Sequence, residues 1–78
     1  MQIKVVGSEP FKALKSSFAV GPTESGYTLN FAVSKEGPWT AHDEASPADE
    51  CVVVTGVVPY MYFKLDGVGD EEEVEVIV

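Results

Sequence analysis

The sequence predicts a small antiparallel β-sandwich of six to seven strands, Ig-like or jelly-roll-like, with residues 1–78 forming a single domain. Two observations predict it. Apolar residues recur with period two, most clearly where Tyr27, Leu29, Phe31 and Val33 alternate with Thr28, Asn30, Ala32 and Ser34. Such alternation puts one face of a strand in a core and the other in water. The apolar runs are also short and separated by Gly-, Pro- and Asp-rich punctuation at intervals of about 8–12 residues, as in sandwiches and small barrels.

Taken in order, Gln2 to Val6 reads as the first strand, closed by Gly7 to Pro10. Phe11 to Val20 admits two readings. Phe11, Leu14 and Phe18 fit one helical face, whereas Phe18 and Val20 fit a strand; Ser16, Ser17 and Phe18 are indifferent helix formers, which favours strand for the second half. Gly21, Pro22 and Gly26 bracket a turn before the Tyr27–Ser34 strand. Lys35-Glu36-Gly37-Pro38 is a tight turn, and Trp39 to His42 a short return strand with the indole folding back onto the core. Residues 45–50 read as a polar loop. Cys51 to Thr55 is a β-branched run that suits a buried strand. Met61, Phe63 and Leu65 alternate with Tyr62 and Lys64, Asp66 to Asp70 is turn chemistry, and Val74, Val76 and Val78 form the inner face of the last strand. The predicted core is Leu29, Phe31, Val33, Trp39, Val53, Met61, Phe63, Leu65, Val74 and Val76.

Size and charge restrict what such a domain does. A 78-residue chain supports a core worth roughly 3–5 kcal/mol. One cysteine, Cys51, allows no internal disulfide and suits a reducing compartment of synthesis. The first seven residues do not read as a secretory signal, and no apolar run approaches the ~20 residues of a membrane span. Synthesis in the cytoplasm is therefore expected. Thirteen acids against five lysines give a net charge of −8, which disfavours nucleic acid and anionic membrane surfaces as partners.

No constellation carries a catalytic signature, so the chain is expected not to be an enzyme and to need no cofactor. Asp66, Asp70, Glu71, Glu72 and Glu73 offer closely spaced oxygens that suit calcium, but the order of ligands does not match an EF-hand; a solvated acidic turn that keeps sheet edges apart fits better, and no metal is expected. His42 lies beside Asp43 and Glu44, yet strand neighbours point to opposite faces and no second histidine completes a zinc shell. Cys51 lacks an activating base and reads as a buried thiol. Gly67-Val68-Gly69 lacks the third glycine and the helix of a dinucleotide loop. Trp39, Tyr60 and Tyr62 are candidates for a platform that stacks sugar rings, set against the ordinary packing of strand aromatics.

Residues 27–40, Tyr-Thr-Leu-Asn-Phe-Ala-Val-Ser-Lys-Glu-Gly-Pro-Trp-Thr, form a strand, turn and tryptophan pattern, and Tyr62 to Gly67 a later strand. Together with the segment between them, about half the chain resembles small β-sandwich modules of tailed-phage virions and gut-bacterial surface proteins. The nearest likeness is to auxiliary capsid or head-fibre proteins of crAss-like phages. The resemblance implies a virion decoration protein, present in many copies and without chemistry of its own. A carbohydrate-binding or adhesion module is the alternative.

The ends of the chain suggest how such a domain would assemble. Val74, Val76 and Val78 face one way and Ile77 the other, so the last strand is apolar on both faces. Such a strand invites pairing with Gln2–Val6 or with another chain. Ile3, Val5, Ile77 and Val78 are the candidate docking residues, with a protein shell or a second copy as partner.

Overall fold

A computed structural model describes the backbone of residues 1–78 and every side chain except those of residues 43–46. Eight strands form in chain order: β1 (Gln2–Val6), β2 (Phe11–Lys12), β3 (Ser17–Val20), β4 (Tyr27–Ala32), β5 (Thr40–Ser46), β6 (Val52–Thr55), β7 (Tyr62–Asp66) and β8 (Glu73–Ile77). They make two four-stranded antiparallel sheets of order β1-β8-β3-β6 and β2-β7-β4-β5. The pairings nest, β1 with β8, β2 with β7, β3 with β6 and β4 with β5, as if one long hairpin had been wound around a barrel axis. This is jelly-roll order, so of the two predicted sandwich types the chain adopts the second.

Eight strands rather than six to seven arise because the ambiguous segment 11–20 holds two strands and no helix. β2 has only two residues, too few to show a period, and it forms because Phe11 finds Phe63 across the ladder. The second half of the segment is strand, as the weak helix formers suggested.

The core lies between the sheets. Val5, Phe18, Val20, Val54, Val74 and Val76 come from one sheet, and Phe11, Tyr27, Leu29, Phe63 and Leu65 from the other. Ala13, Val68 and Val78, which lie outside the strands, complete it. Among the predicted core residues, Leu29, Phe63, Leu65, Val74 and Val76 are buried, while Phe31 and Met61 are half-buried against them.

Three predicted core residues lie elsewhere. Val33 follows the end of β4 and is 80% exposed. Val53 is 68% exposed, because β6 pairs Val54 with Phe18 and Val52 with Val20, turning the even-numbered residues inward. A run of consecutive valines has no polar alternation to set its phase, and a shift of one residue exchanges the faces. Trp39 is half-buried on the outer face of the β2-β7-β4-β5 sheet, where the Lys64 ammonium lies 4.9 Å from its ring centroid. The preceding turn aims it there: the Gly37 N–H donates to the Ser34 carbonyl at 3.1 Å, and Gly37 has φ +90°, so that a Cβ at position 37 would stand 2.8 Å from Trp39 Cδ1.

Other expectations also change. The outer side of β4 is not wet throughout, since Asn30 and Ala32 are buried between β7 and β5. Residues 45–46 belong to β5 rather than to a loop, pairing with Thr28 and Tyr27 beyond a bulge. β8 is an inner strand, hydrogen-bonded to β1 on one side and β3 on the other, so the open edges are β1, β6, β2 and β5.

Candidate functional site

The strongest surface feature is built by β8 and its neighbours. Because Val74 and Val76 are taken by the core, Glu73, Glu75 and Ile77 point outward. Ile77 pairs with Gln2 on β1 and Ala19 on β3, and Ala19 pairs with Val53 on β6. Register thus lines up Ile77, Ala19 and Val53 across three strands of the outer face. Ile77 is 55% and Val53 68% exposed, with Ala19 half-buried between them. With Met1 and Lys15 they line a shallow depression of about 220 Å³.

The rest of this face is charged and pairs with itself. Lys4 Nζ lies 3.8 Å from Glu73 Oε1 and 3.8 Å from Glu75 Oε1, and Gln2 Nε2 donates to Glu75 Oε2 at 2.9 Å. These ion pairs are half-exposed and contribute little stability, about 0–1 kcal/mol each. Their effect is to divide the face into a polar part beside β1 and an apolar row running to β6.

Of the four docking residues predicted from the chain ends, only Ile77 belongs to this row. Val5 and Val78 are buried in the core, and Ile3 packs against it half-buried. Val78 is held further by its N–H, which donates to the Met1 carbonyl at 2.9 Å. Ala19 and Val53 escaped sequence reasoning because nothing in their local pattern tells which strands will lie side by side.

The aromatic candidates do not form one open platform. Trp39 and Tyr62 do share the outer face of the β2-β7-β4-β5 sheet, but each ring carries an ammonium: Lys64 Nζ over Trp39 at 4.9 Å and Lys12 Nζ over Tyr62 at 5.3 Å. A cation over a ring competes with a sugar for that face, an interaction of about 0.5–1 kcal/mol at exposed sites. Tyr60 is 66% exposed in the turn before β7, with φ 73° and its N–H donated to the Ala13 carbonyl at 2.6 Å.

The acidic turn between β7 and β8 is partly committed to the fold. Glu72 Oε2 accepts the Glu24 N–H at 2.6 Å, the Glu72 carbonyl accepts the Gly7 N–H at 2.8 Å, and Glu73 belongs to the Lys4 pair. Among the described residues, no group of three or more His, Cys, Asp or Glu is placed to hold a metal ion. His42 is half-buried in an apolar groove of about 250 Å³, edge-on to Phe31 with ring centroids 6.4 Å apart. Its sequence neighbours Asp43 and Glu44 lie outside the described side chains. Cys51 is exposed just before β6, not buried as expected, because the phase of β6 turns odd-numbered residues outward.

Among the described residues no helix is long and apolar enough to cross a membrane. No model of a protein family, no curated protein and no solved structure matches this chain.

Proposed function

We propose that this domain is a non-enzymatic structural protein of a virion, of the capsid-decoration or head-fibre type, that docks on a protein shell through the outer face of its β1-β8-β3-β6 sheet. The observation that carries the docking surface is the exposed Ile77–Ala19–Val53 row on an otherwise acidic molecule. The virion assignment rests on the resemblance of the β4-to-Trp39 segment and β7 to phage accessory modules. Jelly rolls serve both capsid and lectin domains, so the fold is compatible with the reading without selecting it.

Magnitudes argue for many copies. Covering the exposed parts of Ile77 and Val53 contributes roughly 1–2 kcal/mol each, whereas a Kd of about 1 mM already requires some 4 kcal/mol. A single such contact is weak, and repetition on a shell multiplies it. The acidic surface repels nucleic acid.

The test is co-sedimentation with purified shells encoded beside the gene. Retention that is lost in Ile77→Glu, with circular dichroism unchanged, supports the reading; equal retention of wild type and variant rejects it. Capsid, portal and terminase genes in the neighbourhood support the virion assignment. A polysaccharide-utilisation cluster, with sugar-column retention lost in Tyr60→Ala, favours the carbohydrate-binding alternative.

A further inference from the structure

The four open edges of the sandwich are not equally protected. β1 presents Lys4, whose exposed ammonium sits between two carboxylates. β2 is two residues long and follows Pro10. β5 carries a bulge opposite Thr28 and Asn30. Charge, brevity, proline and bulges are the devices that stop a sheet edge from accepting another strand. β6, Val52-Val53-Val54-Thr55, has none of them.

The hydrogen-bonding state of this edge follows from its neighbours. The Gly21 N–H donates to the Glu75 carbonyl at 2.7 Å, and the same register pairs Ala19 with Ile77. Odd-numbered residues of β3 therefore exchange hydrogen bonds with β8, and Phe18 and Val20 exchange theirs with Val54 and Val52 of β6. By the same alternation, the N–H and C=O groups of Val53 and Thr55, and of Cys51 just ahead of the strand, point away from β3 to the open side.

We propose that β6 pairs antiparallel with β6 of a second copy about a two-fold axis at Val53, fusing the two four-stranded sheets into one of eight strands. In that register Val53 faces Val53 of the second copy and Cys51 faces Thr55 of the second copy, so all three outward-pointing residues find partners. Beyond the strand the chain turns back on its own copy, with Asp49 at φ 60° donating its N–H to the Thr23 carbonyl at 2.9 Å and Val57 donating to the Ser16 carbonyl at 3.0 Å, so the paired stretch is the uncharged Cys51–Thr55. The turn between β7 and β8 is nearer than the strand order suggests, since Glu71, Glu72 and Glu73 share a depression with Asp49, ahead of β6; in this register that end of β6 faces the uncharged Thr55 end of the second copy. A copy of this chain fits better than a basic partner, since the edge itself is uncharged and self-complementary. The chain bends at Gly56, φ +70°, into Val57 and Val58, which with Gly56 line the apolar groove beneath His42, and Val58 is 63% exposed. The second copy approaches on this side and covers them. The contact is at the small end of specific interfaces, so the dimer depends on concentration.

This goes beyond shell docking, because it uses the backbone groups of the β6 edge; Val53 alone is shared with the Ile77 row, and Ile77→Glu separates the two by leaving the edge intact. Analytical ultracentrifugation of the full chain tests it, with Val53→Lys and Val53→Pro as variants. The Val53 side chain is 68% exposed and its N–H is unused within one copy, so both variants keep the fold by circular dichroism. Wild type is expected to sediment as a dimer at high concentration, with each variant shifting the dissociation constant at least about 10-fold, and Thr55→Cys to form an intermolecular disulfide with native Cys51 under mild oxidation, as Cα atoms about 5.5 Å apart allow. Wild type that stays monomeric up to about 1 mM, including one whose β6 accepts a strand of another protein, overturns the proposal. So do folded Val53 variants that dimerise as wild type does, or a dimer in which Thr55→Cys forms no cross-link. A monomer that still docks on shells through Ile77 refutes the dimer alone.

Discussion

The rings of Phe18 and Phe63 meet across the sandwich with centroids 4.7 Å apart and planes tilted by 56°, one reaching in from β3 and the other from β7. Phe11 joins both, edge-on to Phe18 at 5.3 Å and stacked on Phe63 at 6.2 Å. This trio ties the two sheets together. Phe63→Ala removes its centre and should cost about 3–5 kcal/mol, as much as the whole roughly 3–5 kcal/mol expected of a core this size. The variant should be unfolded at 25 °C by circular dichroism; a cooperative transition weakened by less than about 1 kcal/mol would count against this account.

Trp39→Ala should be mild. A core tryptophan cut to alanine costs about 3–5 kcal/mol. Here the indole lies half-buried on an outer face with an ammonium over it, an arrangement worth about 0.5–1 kcal/mol at exposed sites. A urea titration should show a loss near 1–2 kcal/mol once lost packing is added. A loss above about 3 kcal/mol would return Trp39 to the core.

Gly7→Ala should destabilise although the substitution is small. Gly7 has φ +59°, and a Cβ there would stand 2.9 Å from the Asp70 carbonyl oxygen. Strained conformation and close backbone approach together should cost about 1–3 kcal/mol. An unchanged melting temperature would show that the turn between β1 and β2 relaxes away from Asp70.

Ile77 and Val78, adjacent in sequence, should respond unequally. Val78 is 4% exposed and Ile77 55%. Val78→Ala should lose about 1.5–2.5 kcal/mol by transfer and cavity terms, while Ile77→Thr keeps a β-branched side chain on the surface and should stay within about 0.5 kcal/mol. Equal effects would contradict the phase of β8.

Calcium should leave thermal stability unchanged. A metal bound at 100 times its dissociation constant would add about 2.7 kcal/mol. Part of the acidic turn is already engaged, with Glu72 accepting a backbone N–H and Glu73 facing Lys4. A rise of several degrees in calorimetry, lost on Asp66→Asn with Asp70→Asn, would establish a site.

By itself the sequence determined the all-β class, the places of β1, β3, β4, β6, β7 and β8 within a residue or two, and the inward phase of Phe63, Leu65, Val74 and Val76. Each of these lies in a segment where apolar and polar residues alternate or where a turn residue closes a run, so short-range chemistry suffices. Tertiary structure alone decided the rest. It chose the phase of the Cys51–Thr55 run, sending Val53 and Cys51 outward, because consecutive apolar residues leave phase to whichever partner strand arrives. It sent Trp39 to the outer face, because the Gly37 turn and Lys64 offered it a place that no periodicity records. It made β8 an inner strand and aligned Ile77, Ala19 and Val53, which are far apart in sequence and meet only through the pairing of β3 with β8 on one side and β6 on the other. A surface assembled across three strands is a property of register, and register is a long-range choice that no local window of sequence contains.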